Sequence, residues 1–373
     1  MRILHMIGCL EMGGSQTMVM SLYRAIDRSK IQFDFIVDCD DKNVFEQEIA
    51  QLGGRVFRLP KFNGKNIIEV RRAWSAFLQA HPEYKVLHSH IRSYASIYLP
   101  IAKAHGVKTI IHSHNTSNGR GIMAIGKKLL QYPLRFQADY FFGCSEIAGQ
   151  WLFGKKIVAS NRYYMLKNAV DLERFSYKQQ IKNEIRSQLN IPENALVIGH
   201  IGRMHPQKNH KFLIDSFAKI AAEREDAYLL LLGDGELRGE ITGQIHRLGL
   251  DDKVMQLGIR KNTEDYLCAM SCMALPSLHE GLPVVVVEAQ ANGLPCFVAD
   301  TVTKEVKLSE LVTYLPIDQG EKPWVQAILN CWQNHMDVSE QIKAGGFCVN
   351  TSSEWLCNFY QAIVKENANP IPM

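Results

Sequence analysis

The chain has 373 residues, 46% apolar and 21% charged, with a formal net charge of +4. At roughly 100–200 residues per domain this is enough for two cores, too apolar for a disordered chain and too mixed for a fibrous one. No apolar run approaches the ~20 residues that cross a bilayer, and the opening MRILHMIGCLEMGG, broken by His5 and Gly8, does not resemble a signal peptide.

In chain order, short apolar runs predict buried strands at 2–7, 33–37, 56–59, 86–88, 109–112 and 140–143. Stretches of helical spacing at 15–26, 67–79, 93–105 and 146–153 lie between them. A polar, charged segment at 171–194 follows, without strand character, and marks the boundary between two halves. The second half repeats the scheme, with strands at 196–201, 228–232, 254–257, 273–275 and 296–299 and helices at 210–223, 237–248, 284–292 and 323–332. Alternating β and α elements imply parallel sheets covered on both faces, so each half reads as a doubly wound α/β unit. A last helix at 353–365 carries Trp355, Leu356, Phe359, Tyr360 and Ile363 at helical spacing, with Ser352 or Ser353 as its N-cap.

Charge and cysteine content narrow the setting. Residues 1–170 hold 23 Lys+Arg against 12 Asp+Glu (net +11), and the remainder holds 19 against 26 (net −7). A basic first half fits an anionic partner or a solvated surface; the cations are dispersed and lack interleaved aromatic platforms, which argues against nucleic acid. Nine cysteines without a CxxC pair predict reduced cytosolic thiols, with Cys268 and Cys272 on a helix end or loop.

Ligands of open α/β sheets bind outside the carboxyl ends of strands, and there the informative residues fall. After the first strand come Gly13, Gly14, Ser15 and Gln16. Paired glycines allow close backbone approach, and the following helix N-terminus favours an anion, although neither GxGxxG nor a P-loop is present. After the strand at 196–201 come Gly202, Arg203, Lys208 and Asn209, a guanidinium and an ammonium five residues apart, suited to a diphosphate. The most specific stretch is Glu280, Gly281, Leu282, Pro283 and, eight residues after Glu280, Glu288. Pro283 suits a first helical turn, and Gly281 to Val284 would present amides to an anion. Glu288 is an acid in an apolar helix, where vicinal sugar hydroxyls are suitable donors. His88/His90 and His112/His114 form two HxH pairs. They lack acidic or cysteine ligands, so a polar cluster facing an inter-domain cleft is expected, and no metal site.

With these residues the chain resembles the retaining glycosyltransferases of the GT4 family. The likeness rests on Gly13-Gly14, His114-Asn115, Ser145-Glu146, Asn168 to Asp171 with Phe175, Gly202-Arg203 with Lys208-Asn209, Gly233-Asp234-Gly235 and the Glu280/Glu288 pair of the family's E-x7-E signature. The tracts from Glu288 to Cys296 and from Asp300 to Val306 resemble the branch of bacterial exopolysaccharide and capsule synthesis. Departures are Asn168-Ala169-Val170-Asp171, where the family has Asn-Gly-Val-Asp, Glu288-Ala289-Gln290 for Glu-Ala-Met, and the absence of glycine at 301–304.

The resemblance implies a GT-B fold: two Rossmann-like domains facing across a cleft, with a C-terminal helix crossing back to the first. Its bounds are 1–172 plus 352–373 for the acceptor side and 173–351 for the donor side. It further implies that Arg203 and Lys208 hold the donor diphosphate, with the backbone of Gly281, Leu282 and Pro283 and with Gly14. Glu288 would bind the ribose, Glu280 the donor sugar, Gly258, Ile259 and Arg260 the base, and His114 the sugar from the first domain. Glu280, His114, Arg203 and Lys208 are thus the catalytic set. The donor is a nucleotide sugar, UDP favoured, with no metal or other cofactor. The acceptor is a saccharide or lipid-linked saccharide at the inner face of a plasma membrane, to which the basic stretch 119–136 would attach peripherally. Two alternatives are a non-hydrolysing sugar-nucleotide epimerase and a non-catalytic partner subunit. The second should have lost one of Arg203, Lys208, Glu280 or Glu288, and all are present.

Overall fold

The computed structural model describes residues 1–11, 13–39, 44–114, 122–331 and 334–365, with the backbone alone for 122–125. It divides into two compact units, Met1–Ala169 with the chain from Val349 onward, and Val170–Cys348.

The first unit runs β1 (Arg2–Gly8), α1 (Gly14–Ala25), β2 (Gln32–Val37), α2 (Glu46–Gln51), β3 (Val56–Arg58), α3 (Ile67–Ala80), β4 (Val86–Ser89), α4 (Ala95–Ala104), β5 (Lys108–Ser113), α5 (Ile122–Gln131), α6 (Leu134–Gln137), β6 (Tyr140–Gly143), α7 (Glu146–Phe153), α8 (Lys155–Val158) and β7 (Tyr163–Met165). Its sheet is ordered β3-β2-β1-β4-β5-β6-β7, and every pair is parallel. Period-two alternation sends Ile3 and Ile7 to one face and Leu4 and Met6 to the other, so each face has its own core.

The second unit contains α9 (Gln179–Gln188), β8 (Leu196–Ile201), α10 (His210–Glu223), β9 (Ala227–Leu232), α11 (Arg238–Arg247), β10 (Val254–Gly258), α12 (Thr263–Ala269), β11 (Cys272–Leu275), α13 (Val284–Ala291), β12 (Cys296–Ala299), β13 (Val312–Leu315), α14 (Lys322–Leu329) and α15 (Ser339–Ala344). Its parallel sheet is ordered β10-β9-β8-β11-β12-β13. The chain then returns to the first unit as α16 (Val349–Val364), which packs on α1 and places Leu356, Phe359, Tyr360 and Ile363 in the core shared with Ile3 and Phe33.

Several expectations are corrected. Strands β7 and β13 are short edge strands of mixed polarity, Tyr-Tyr-Met and Val-Thr-Tyr-Leu, too brief to signal themselves. Helix α9 lies within the segment read as irregular; it is almost wholly polar and buries only Ile185 and Arg186. Arg186 is nonetheless held by the carbonyls of Ala269, Glu193 and Ala195, tying α9 to its unit. Helix α16 begins at Val349, so Ser352 and Ser353 lie inside it, buried, rather than capping it. Pro283 is the N-cap of α13 rather than its first helical residue. Cys9 and Cys39 are disulfide-bonded with Cα atoms 5.6 Å apart, against the expectation of free thiols. The register explains it: Gly8 of β1 pairs with Val37 of β2, and the residues just beyond each strand end meet. Cys268 is the penultimate residue of α12 and Cys272 opens β11, neither in a disulfide.

Candidate functional site

In the second unit, strand order reverses between β8 and β11, so the loops leaving their carboxyl ends diverge and leave a crevice. The loop after β8 forms a single 3-10 turn, Pro206–Lys208, capped by the His205 side chain and closed by Asn209 in the left-handed region (φ 57°). That turn aims Lys208 at the loop after β11. Lys208 Nζ lies 2.5 Å from Glu280 Oε1, and both side chains are largely buried. Gln207 Nε2 donates to Glu280 Oε2 (3.2 Å) and to the His279 carbonyl (2.8 Å), while Leu278 N donates to the Gln207 carbonyl (2.8 Å). The two loops are therefore laced together, 72 residues apart in sequence.

Two glycines make this packing feasible. A Cβ on Gly202 would press on the Lys208 stem at 3.2 Å. Gly233, at φ +132°, lies so close to the Gly202 carbonyl that any side chain would collide with backbone.

Beyond Glu280, Gly281 is exposed with open space around it, and Pro283 offers α13 no side-chain cap. The first turn of α13 thus points uncapped amides, at the positive end of the helix dipole, toward the same crevice. Glu288, two turns on, is partly buried; desolvation pushes its carboxyl up to about 7, with Arg174 opposing the shift and Glu264 adding to it. Arg174 grips Glu264 with two bonds, 2.8 and 3.0 Å, and also donates to the Lys261 carbonyl. Sequence reading missed both Arg174 and Glu264; no local pattern marks a pair 90 residues apart.

Not every expected residue joins the group. Arg203 is 71% exposed and bonds to Glu236 at 3.1 Å rather than to Glu280. Gly258 ends β10 at φ +67°, its carbonyl accepting from Gly233 N, and Ile259 beside it is exposed. Leu282 packs against the core of the unit.

The first unit has its own switch point, between β1 and β4, and there an open pocket of about 1190 Å³ lies. Gly14, Gln16, Asp38, Arg92, His114 and Lys127 are among its lining residues. Gly14 opens α1 with no side-chain cap from Gly13 and nothing within 4 Å of where its Cβ would be. His114 Nε2 lies 2.8 Å from His90 Nδ1, and His90 Nε2 lies 3.1 Å from His5 Nδ1. Burial, with the charge of Arg92, lowers the His114 pKa to about 3, so the ring is neutral. Asn115 lies outside the described residues. Two histidine triads, His5/His88/His90 and His90/His112/His114, hold their ligand atoms within 4.8 Å. The HxH pairs therefore converge, which sequence spacing alone did not reveal.

Residues 12–174 match the family profile described as Glycosyltransferase Family 4, and 195–334 match Glycosyl transferases group 1. EpsF of Bacillus subtilis, named as a glycosyltransferase, is 34% identical over 332 residues, covering 88% of this chain and 86% of EpsF. An Escherichia coli enzyme named as a UDP-Gal:α-D-GlcNAc-diphosphoundecaprenol α-1,3-galactosyltransferase is 27% identical over 236 residues, 58% of each chain. Among solved structures, Anabaena HepE in complex with UDP superimposes with a TM-score of 0.72 at 18% identity, covering 98% of this chain and 99% of HepE. Its likeness shows the fold, GT-B, with sheets of seven and six strands here.

Proposed function

The chain belongs to glycosyltransferase family 4 and is a glycosyltransferase, and on that premise we propose a retaining transfer from a UDP-sugar to a lipid-linked or oligosaccharide hydroxyl. The observation that carries the donor assignment is the Lys208–Glu280 contact beside the uncapped start of α13. As the anomeric carbon leaves phosphate, negative charge builds on the diphosphate and positive charge on the sugar ring. Fixed cations and amides aimed at the leaving group favour that transition state over the bound ground state. Lys208 and the amides of Gly281, Leu282 and Val284 take this role, with Arg203 swinging from Glu236 onto phosphate. Glu280, released by Lys208 to the arriving phosphate, accepts from hydroxyls of the donor sugar. Gly258 and Ile259 border the base. In the first unit, Gly14 and His114 line the pocket at the ends of β1 and β5. The acceptor hydroxyl attacks the same face that the leaving group vacates and passes its proton to the departing phosphate oxygen. We assign no metal to the diphosphate, because these groups supply its countercharge.

Glu288 reads the ribose, and only its carboxylate form accepts from both hydroxyls. Its pKa of about 7 lies above the ordinary value of 4.5, so the free protein loses stability as pH rises between the two. UDP binding by calorimetry is expected to tighten several-fold from pH 6 to pH 8, and Glu288→Gln to flatten that slope. The same measurement with UDP-, GDP- and ADP-sugars tests the donor: saturable heat is expected with a UDP-sugar, and none with any nucleotide sugar at millimolar concentration would overturn the reading.

For the acceptor, the support is the lipid-linked substrate in the name of the Escherichia coli relative and a surface on the first unit. Leu129, Tyr132 and Phe136 are exposed along α5 and α6, among Lys127, Lys128 and Arg135; residues 119–121 of the basic stretch lie outside the described residues. Apolar side chains ringed by cations suit the interface of an anionic bilayer, here the cytoplasmic face of a plasma membrane in exopolysaccharide or capsule synthesis. Among the described residues no helix is long and apolar enough to cross it. Flotation with anionic vesicles is expected to carry the protein, and Leu129→Ser/Phe136→Ser to leave it in the dense fraction; equal flotation with neutral vesicles would remove the assignment.

A further inference from the structure

The first unit gathers five imidazoles, four buried and His114 partly so, that the transfer reaction does not require together. Strand period places them: His5 of β1, His88 of β4 and His112 of β5 lie on the sheet face of Ile3, Val86 and Ile110, and His90 and His114 continue that face two residues on. Parallel register aligns them, His5 opposite His88. Their ring centroids form a contiguous array, His5–His88 at 5.3 Å, His88–His90 at 4.5 Å, His90–His114 at 5.1 Å and His112–His114 at 4.0 Å. Such an array is costly when its polar atoms lack partners.

Several do. His112 is fully buried, and among the described residues neither ring nitrogen has a well-formed hydrogen bond, the Leu166 backbone acting on it only weakly. His114 Nδ1, His88 Nε2 and His5 Nε2 are also buried, without partners among the described residues. By contrast, His88 Nδ1 is satisfied by the Tyr360 hydroxyl at 2.6 Å, and His90 Nε2 faces His5 Nδ1.

We propose that His90, His112 and His114 bind a divalent transition-metal ion of the zinc class. Three neutral imidazoles are the ligand set that such ions prefer, and His90, His112 and His114 each offer a nitrogen within 4.8 Å of the others. His90 Nδ1 and His114 Nε2, 2.8 Å apart, share one proton in the metal-free protein. Zn–N bonds of about 2.0–2.1 Å would separate them to roughly 3.3 Å, a small opening as the ion takes the place of that proton, which moves to the other nitrogen of its ring so that both imidazoles stay neutral. The outer shell is in place for His90, whose other nitrogen is held by His5. An entry path exists because His90 and His114 line the open pocket, which also leaves a fourth position for water. The cations of that pocket, Arg92, Lys61 and Lys127, oppose a dication and Asp38 favours it, so micromolar rather than picomolar affinity is expected. The ion braces the ends of β4 and β5, and no step of the transfer runs through it. The inference does not draw on the Lys208–Glu280 crevice that carries the donor assignment, but it claims for the metal the His114 ring that the family resemblance sets against the donor sugar.

The test uses the untagged full chain and Zn(II) or Co(II) alone. Competition against a colorimetric chelator is expected to give one zinc per chain, and Co(II) to give the intense visible bands of a four-coordinate site. His112→Asn and His90→Gln, each checked for a wild-type melt in chelator, should weaken zinc at least tenfold, whereas His246→Gln, on the exposed surface, should not. Less than one zinc per five chains at micromolar free zinc, or unchanged affinity in both folded variants, would overturn the proposal and leave the array a hydrogen-bonded stack.

Discussion

Lys208→Ala is expected to lower the transfer rate by about 10²–10³, the usual loss when one preorganised group on a developing anion is removed. The side chain is largely buried, fixed by a 3-10 turn and 2.5 Å from Glu280, so water cannot readily take its place. Part of the loss arises indirectly, because truncation leaves Glu280 without its cation in a semi-enclosed site. The variants Glu280→Gln and Lys208→Ala/Glu280→Gln separate the two contributions. If Lys208 acts only by holding Glu280, the double variant should equal Glu280→Gln; if it acts on the diphosphate, the double variant should be slower still. Arg203→Ala should also reduce the rate, but less, since Arg203 is solvated and tied to Glu236 before the donor arrives. Steady-state rates within threefold of wild type for Lys208→Ala would refute the assignment of the crevice.

Phe359→Ala should destabilise the first unit by about 3–5 kcal/mol, the range for removing a large buried aromatic. Its ring is 2% exposed and lies within 5.3 Å of the rings of Tyr140, Phe142, Tyr164 and Trp355, which come from β6, β7 and α16. Three of the four neighbouring rings, Tyr140, Phe142 and Tyr164, are held on strands, which limits how far the surroundings can close the void. For a unit of this size the loss corresponds to roughly 10 °C in the melting of that unit. Tyr360→Phe is a milder companion: it removes the hydroxyl that satisfies His88 Nδ1 and should cost about 1–3 kcal/mol. Differential scanning calorimetry reads both. A Phe359→Ala protein melting within a degree of wild type would mean that α16 is an appendage rather than part of the core.

Much of this architecture is legible without coordinates. Strand and helix alternation is a local signal, carried by buried apolar runs such as Ala-Tyr-Leu-Leu-Leu-Leu in β9 and by the spacing in α10 and α3, and these emerge close to where periodicity puts them. Elements whose sequence is polar or brief escape it: α9 stays in place through Arg186 reaching distant carbonyls, and β13 through pairing with β12. The start of α16 escapes for another reason. Burial against α1 overrides the capping preference of Ser352 and Ser353.

By itself, the sequence determined the fold class, the order of the elements and the loops at which chemistry gathers, since hydrophobic period, glycine and charge act over a few residues. Only the tertiary structure decided which of those side chains meet. Lys208 reaches Glu280 across 72 residues, His5 reaches His90 across 85, and Arg174 rather than a neighbour in sequence faces the carboxyl of Glu288. Such encounters depend on the register of parallel strands and on which loops share a switch point, quantities set by the packing of the whole unit and by no short stretch within it.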